Sequence, residues 1–410
     1  MIMVDRRLVF ATFFPGCENI HLTKDVGMIP YVLYKNHGYD SYLISYRNGD
    51  YPYLQTEVPG LRLIFLKKGP WHLLREWTLA IFKKGLIVRG IEALCTALDA
   101  LPVMLRMGRM IDVLQLYHLK DESIVIGWIY RLVNPRGKLY LKLDISSEVV
   151  EEFERRGKDG TRSSRIYESL SFDLITAETR HAVKVLTENH LYYKHKNVCY
   201  IPNGTSVKTL ETFRREVAKE RIVLHVGRLG NPQKGTDIAL EAFSRVAAEF
   251  PAWKLVLVGP VESYFPGELE DFFVRHPELR SRVDCVGFLE HREQVFDYYQ
   301  RAKILLMPSR FEGFSLASLE AAYFGDVILG SDIPSIKELT DYGKLGYLCP
   351  VKDIECFAQK LGYMMSHEGE IEDKSAANAS FVIDNYDWKV ICGTLDRLIR
   401  ETIAGKGKSG

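Results

Sequence analysis

No stretch of the sequence reaches the roughly 18 to 20 consecutive apolar residues that a bilayer-spanning helix needs. The opening run, MIMVDRRLVFATFF, puts basic residues before a short aromatic stretch but lacks a small-residue cleavage site, so it reads as a first strand and not as a signal peptide. An excess of charge is also missing: 54 Lys and Arg stand against 53 Asp and Glu. Nucleic-acid scaffolds usually carry a strong basic excess, so that class is disfavoured and any basic site is local. Seven cysteines, at 17, 95, 199, 285, 349, 356 and 392, are scattered and never form C-x-x-C. They read as reduced thiols of a cytosolic protein, implying neither a zinc site nor a disulfide framework. G-x-G-x-x-G and G-x-x-x-x-G-K-[ST] are both absent, which leaves a nicotinamide fingerprint and a P-loop unsupported.

What is present is a rhythm of short apolar runs and longer amphipathic ones, the pattern of β-α units on parallel sheets. Leu8 to Phe14 reads as a strand, Ile20 to Asn36 as a helix and Ser41 to Tyr46 as the next strand. The second half repeats the pattern through RIVLHVGRL, a helix from about Thr236 to Phe250, WKLVLVG, VDCVGF, REQVFDYYQRA and KILLMPS. At 410 residues the chain suits two domains of about 200 residues each. The turn signal Pro202-Asn203-Gly204 marks the seam, giving domains over 1–200 and 201–385. An amphipathic helix over 386–402 and a Gly/Lys/Ser tail over 403–410, read as disordered, complete the chain.

Two stretches carry chemistry. In HVGRLGNPQKG a strand ends at Val226, glycines 227, 230 and 235 loosen the loop, and Arg228 and Lys234 place two cations at the carboxyl end of the strand, where open α/β sheets bind ligands. The pair suits a diphosphate; the alternative is a surface loop with two solvated cations. In RFEGFSLASLEAAYFG a helix beginning around Ser315 would offer the backbone N–H groups of Phe314, Ser315 and Leu316 to an anion. Glu320 lies five residues on, roughly 7.5 Å along the axis, which suits a carboxylate accepting from ribose hydroxyls. Glu312, before the turn and next to Gly313, would face the sugar at the other end of the diphosphate. The plainer alternative makes Glu312 a turn residue and Glu320 a helix former on a solvent face.

The order VGRLGNPQKG, LVGP, VGFLEHREQVFDYYQRA, MPSRFEGFSLASLEAAYFG and SDIPSIKEL, over about residues 200 to 380, resembles the donor domain of the retaining family 4 glycosyltransferases of the GT-B fold. The resemblance implies two Rossmann-like doubly wound domains facing across a cleft, the first binding the acceptor and the second a nucleoside diphosphate sugar. It also implies that Arg228 and Lys234 bind the donor diphosphate, and that Glu312 and Glu320, separated by seven residues, contact the transferred sugar and the ribose. Gly227 and the segment Gly313, Phe314, Ser315 and Leu316 would complete the donor site. The last helix would cross back to the first domain. Asp326 stands where the family usually has proline and is expected to matter only to the local backbone.

The first half resembles the family less. Its loop after the first strand, FFPGCENIHLTKD, keeps a single glycine, Gly16, as a donor contact. His118, at the end of DVLQLYHLK, is a candidate at the sugar or acceptor, or else a satisfied structural histidine. Lys142 and Asp144 of KLYLKLDIS stand where the family commonly has His or His-Asp, and Asp144 alternatively caps a turn. Residues 66–90 carry six basic residues and one acidic, interleaved with Trp71, Leu74, Trp77, Ile81 and Phe82. Such a segment can lie on an anionic membrane or pack its apolar face inward.

The expectation is a metal-independent, retaining hexosyltransferase moving a sugar from a nucleoside diphosphate donor to the hydroxyl of a carbohydrate or lipid-linked acceptor. It would act in bacterial polysaccharide or glycolipid assembly, with no cofactor and no nucleic acid, in the cytoplasm or peripherally on the inner membrane face. The rivals are a catalytically inactive nucleotide-sugar-binding subunit of a partner enzyme and a GT-B epimerase or phosphorylase.

Overall fold

The computed structural model of the chain describes residues 6–73, 77, 86–118, 120–156, 170–188 and 198–405. Leu74, Ile81, Phe82, Lys83 and Lys84 of the basic segment, and residues 406–410 of the tail, lie outside the described residues. The chain divides into two compact units. Unit 1 comprises Met1–Ile145, Val149–Asn203 and Trp388–Gly410, and unit 2 comprises Ser146–Glu148 and Gly204–Asp387.

Unit 1 is built on seven parallel strands: β1 (Val9–Phe13), β2 (Asp40–Ser45), β3 (Arg62–Phe65), β4 (Val113–Tyr117), β5 (Lys138–Leu143), β6 (Leu174–Ala177) and β7 (Val198–Tyr200). Their order, β3-β2-β1-β4-β5-β6-β7, reverses direction at the β1/β4 boundary, with Phe10 opposite Val113 in register. Helix α1 (Asp25–His37) and the C-terminal helix Trp388–Ile403 share one core with β1 through Ile29, Leu33, Trp388 and Leu395. Helices α2 (Leu86–Met107) and α3 (Asp121–Val133) bury Ala97, Ala100, Met104, Ile126 and Tyr130 in a second core. Strands covered on both faces explain why β1, VFATF, is buried throughout instead of alternating. The helix expected over Ile20 to Asn36 begins later, because Asn19–Thr23 is a 3-10 turn that folds onto α1. The turn comes so close that a Cβ on Gly27 would stand 2.4 Å from the Leu22 backbone.

Unit 2 repeats the architecture with six parallel strands: β8 (Ile222–Val226), β9 (Lys254–Val258), β10 (Val283–Gly287), β11 (Ile304–Met307), β12 (Val327–Ser331) and β13 (Tyr347–Cys349), ordered β10-β9-β8-β11-β12-β13. Helices α4 (Thr236–Val246), α5 (Phe265–Arg275) and α8 (Ile354–Ser366) contribute Phe243, Phe272 and Leu361 to one core. Helices α6 (Arg292–Arg301), α7 (Leu316–Tyr323) and α9 (Glu368–Tyr386) contribute Phe296, Leu319 and Val382 to the other. The two-domain doubly wound reading therefore holds.

Two expectations fail. Cys349, ending β13, and Cys356, in the first turn of α8, form a disulfide with Cα atoms 5.7 Å apart. The fold supplies this proximity across a strand-to-helix turn, which spacing alone does not reveal. Asp326 is not a local backbone detail either. Its side chain is fully buried and ion-paired with Lys219, whose Nζ also donates to the Tyr299 carbonyl at 2.8 Å, while Asn378 Nδ2 donates to the Asp326 carbonyl at 3.2 Å. The residue thus ties the approach to β8 and helix α9 to the turn before β12.

Candidate functional site

The residues expected at the donor fall together in unit 2. Strand β8 ends at Val226, and the loop from Gly227 to Gly235 closes onto α4 with Gly235 at φ 69°, a left-handed conformation. Glycine is doubly needed there, since a Cβ would meet the Pro308 carbonyl oxygen at 2.2 Å. This loop is bolted to the one carrying Glu312. Arg310 N donates to the Gln233 carbonyl at 2.8 Å, and Gln233 Nε2 donates to the Phe311 carbonyl at 3.0 Å. Exposed Arg228 donates from Nη2 to Gln233 Oε1 at 3.1 Å. Lys234 Nζ donates to Glu312 Oε1 at 2.6 Å, and Ser309 Oγ donates to the same oxygen at 2.8 Å. Glu312 is buried, so its negative charge is held by a cation and a hydroxyl together.

Helix α7 begins where the sequence placed it. Ser315 is its N-cap and accepts from Ser318 N at 3.3 Å. Among the described residues no acceptor takes the backbone N–H groups of Phe314, Ser315 or Leu316, which leaves donors at the positive end of the helix. Glu320 is buried within α7 instead of lying on a solvent face, and it is ion-paired with Arg292, the first residue of α6. Arg292 also lies over the Phe296 ring, 5.2 Å from its centroid. Sequence reasoning missed Arg292; the available signal was a basic residue opening a helix after a strand of the same sheet.

Gly16, His118, Lys142 and Asp144 belong to unit 1. Gly16 lies exposed in the turn after β1 with open space where a Cβ would stand. The other three gather at the carboxyl ends of β4 and β5, beside the reversal of strand order. His118 adopts φ 54°, rare for a residue with a side chain, and its N–H donates to the Lys142 carbonyl at 3.1 Å. Lys142 is fully buried with Nζ 3.6 Å from Asp25 Oδ2. Three partners escaped the sequence reading: Asp25 at the start of α1, Glu178 after β6, and Asn203, whose Nδ2 donates to Glu178 Oε1 at 3.2 Å.

The electrostatics of this cluster are uneven. Burial pushes Glu178 well above the usual carboxylate range, and neighbouring Asp144 adds to the effect. Glu178 is thus shifted toward its protonated form beside Asp144. Crowding by the protein raises Asp144, but the Glu178 hydrogen bond with the Lys142 and His118 charges outweighs it and holds Asp144 low, although its side chain reaches the surface. Burial lowers His118, with the nearby carboxylate of Asp144 opposing. Asp25 Oδ2, Lys142 Nζ, Glu178 Oε2 and Asn203 Oδ1 are buried without a hydrogen-bond partner. So many unsatisfied groups in one place are costly unless something else pairs with them. No group of three metal-ligating side chains occurs among the described residues.

Residues 220–367 match the family described as Glycosyl transferases group 1. A phosphatidyl-myo-inositol mannosyltransferase of Mycobacterium tuberculosis is 25% identical over 214 residues, covering 50% of this chain and 54% of that protein. The chain thus spans about half the length of the curated relatives it matches. Among solved structures, a glycosyltransferase from Rickettsia africae superposes with TM-score 0.69 at 15% identity, covering 97% of this chain and 99% of the other. Anabaena Alr3699/HepE, solved with UDP and glucose, gives TM-score 0.67 at 14% identity, with 96% and 100% covered. The resemblance to the glycosyl transferases group 1 thus lies in residues 220–367, within unit 2, and the two doubly wound units have the GT-B fold.

Proposed function

We propose that the protein is a retaining glycosyltransferase that moves a hexosyl group from a nucleoside diphosphate sugar to an acceptor hydroxyl, in bacterial polysaccharide or glycolipid assembly. The observation that carries the reading is the Lys234–Glu312 pair, set in the same unit as Arg228, the open N–H groups of α7 and the Arg292–Glu320 pair. Arg228, Lys234 and the helix end would balance the charge that grows on the departing diphosphate. Glu312 would accept from hydroxyls of the transferred sugar, and Glu320 from the ribose. The Anabaena relative's complex with UDP and glucose supports a nucleotide-sugar donor.

Glu312 is already engaged by Lys234 and Ser309, which makes it a poor free nucleophile. A front-face path, in which the leaving diphosphate helps take the acceptor proton, fits this arrangement better. His118, Lys142 and Asp144 would serve the reacting sugar or the acceptor. With the leaving charge met by side chains, no metal is required; activity should survive EDTA, and loss restored by Mg²⁺ or Mn²⁺ would overturn that part.

We place the protein in the cytoplasm, or peripherally on the inner membrane face. No described helix is long and apolar enough to cross a membrane. Screening a panel of nucleotide sugars by thermal shift, followed by donor turnover with and without carbohydrate and lipid-linked acceptors, tests the proposal. A stabilising donor that is never transferred or hydrolysed would favour a nucleotide-sugar-binding subunit instead.

A further inference from the structure

The basic segment after β3 is less available than its sequence implies. Trp71 turns inward: its Nε1 donates to Asp99 Oδ1 at 2.8 Å, the Gly69 N–H donates to the same oxygen at 2.9 Å, and His72 Nε2 lies 2.6 Å from Asp99 Oδ2. Asp99 is buried on α2, so this part of the segment is held to the protein. Leu73 and Trp77 of the same segment remain exposed, at 72% and 62%, and a second surface of unit 1 is also apolar. The carboxyl ends of α2 and α3 are joined there, since Asn134 Nδ2 donates to the carbonyls of Gly108 at 3.1 Å and Ile111 at 2.8 Å, and a Cβ on Gly108 would stand 3.0 Å from Val133 Cγ1.

On the outer side of these joined ends Leu105 is 64% exposed, Met110 53%, Trp128 44% and Leu132 79%. Trp128 and Leu132 are one turn apart on α3 and therefore share a face. Arg106 in the last turn of α2, Arg109 just after it and Arg136 just after α3 are exposed, and no ion pair among the described residues engages them. Scattered apolar residues on a surface are ordinary, but Leu105 and Leu132 on the two joined helix ends, with Met110 in the turn after α2 and Trp128 one turn back on α3, flanked by three guanidinium groups that no ion pair among the described residues engages, make a patch. The mixture suits a surface that takes apolar side chains beneath a layer of anions. A tryptophan among them matches the composition that settles at a headgroup boundary.

We propose that the joined carboxyl ends of α2 and α3 are a contact surface for an anionic lipid bilayer, with Leu105, Met110, Trp128 and Leu132 entering the interface and Arg106, Arg109 and Arg136 meeting lipid phosphates. This deepens the peripheral placement above by naming its residues, and it differs from the 66–90 assignment. The glycosyl-transfer reading does not depend on it.

The test is co-sedimentation of the full chain with vesicles of phosphatidylglycerol and phosphatidylcholine, and with vesicles of phosphatidylcholine alone. Wild type should bind the anionic vesicles and release as salt rises. Leu105→Ser with Leu132→Ser, and separately Arg106→Gln, Arg109→Gln and Arg136→Gln together, should each weaken binding at least about tenfold. Both variants should keep the wild-type thermal melt and donor turnover with a soluble acceptor. Lys67→Gln with Lys68→Gln should change vesicle binding much less. Spin-labelled lipid should quench tryptophan fluorescence in wild type, and Trp128→Phe should lose most of that quenching. Wild type that fails to sediment, or α2–α3 variants that bind like wild type while the lysine variant does not, would overturn the proposal. So would self-association in light scattering that Leu105→Ser and Leu132→Ser abolish, which would make the face a contact between copies. Donor turnover is read separately, so loss of vesicle binding and failure of the transferase assignment give different results.

Discussion

Lys234 Nζ lies 2.6 Å from Glu312 Oε1, joining the loop after β8 to the loop before α7. One cation thereby neutralises a buried carboxylate and stands beside a helix end with open N–H groups. Removing either partner changes both the charge beside that helix end and the fit of two loops.

Lys234→Ala and Arg228→Ala should each lower kcat/KM by a factor of about 100, because charge on the leaving diphosphate grows toward the transition state. Steady-state kinetics on the identified donor measure this. Wild-type kcat/KM in either variant would remove that residue from the site.

Glu320→Ala should raise the donor KM more than it lowers kcat, since a ribose contact is made alike in ground and transition states. Arg292→Ala should move in the same direction, because Glu320 loses the partner that orients it. A collapse of kcat at constant KM would show that Glu320 does not hold the ribose.

The Lys219–Asp326 pair makes a stability prediction. Burial pushes Asp326 up to about 7 even though Lys219 opposes the shift. A carboxyl raised above its unfolded value contributes stability that is lost as pH rises through the folded value. Lys219→Met removes the compensating charge and should cost about 3 kcal/mol at about pH 8, less at about pH 6 where Asp326 takes a proton. Urea unfolding at the two values measures it, and an equal loss at both would show that Asp326 does not titrate in this range.

Much of the site in unit 2 was legible because its parts are local in sequence. The strand, glycine loop, cations, N-cap and glutamates of α7 each follow one another at fixed spacing. Arg292 was not legible, since its partner Glu320 is 28 residues away and only the adjacency of α6 and α7 unites them. Unit 1 hid more for the same reason: Asp25, Glu178 and Asn203 come from three segments and meet Lys142 only through the strand order. Asp326 looked like a one-residue change in a turn, yet its meaning lies in Lys219, 107 residues earlier. Local rules find caps and loops, while buried charge partners depend on topology.

His225 gives the last prediction. It is fully buried in β8, its Nδ1 faces the Leu306 carbonyl at 3.0 Å and its Nε2 lies 3.2 Å from Thr236 Oγ1. The carbonyl can only accept, so Nδ1 carries the proton and Nε2 accepts from the Thr236 hydroxyl. Thr236 Oγ1 in turn accepts from Gly230 N at 3.2 Å, which links the histidine to the loop carrying Arg228 and Lys234. Burial lowers His225 to about 4 from its ordinary 6.5, with the Leu306 carbonyl opposing. The unfolded chain therefore binds more protons between these values, and stability falls as pH drops from 6.5 toward 4. The loss is on the order of 3 kcal/mol once pH is below the folded value. Protonating Nε2 would also turn it from an acceptor into a donor facing Thr236, so donor affinity should weaken over the same range. His225→Gln removes the titration, and its unfolding free energy should fall less steeply on acidification than that of wild type, whatever its stability at neutral pH. Parallel pH slopes for the two proteins, from urea unfolding, would show that His225 is not the group that titrates.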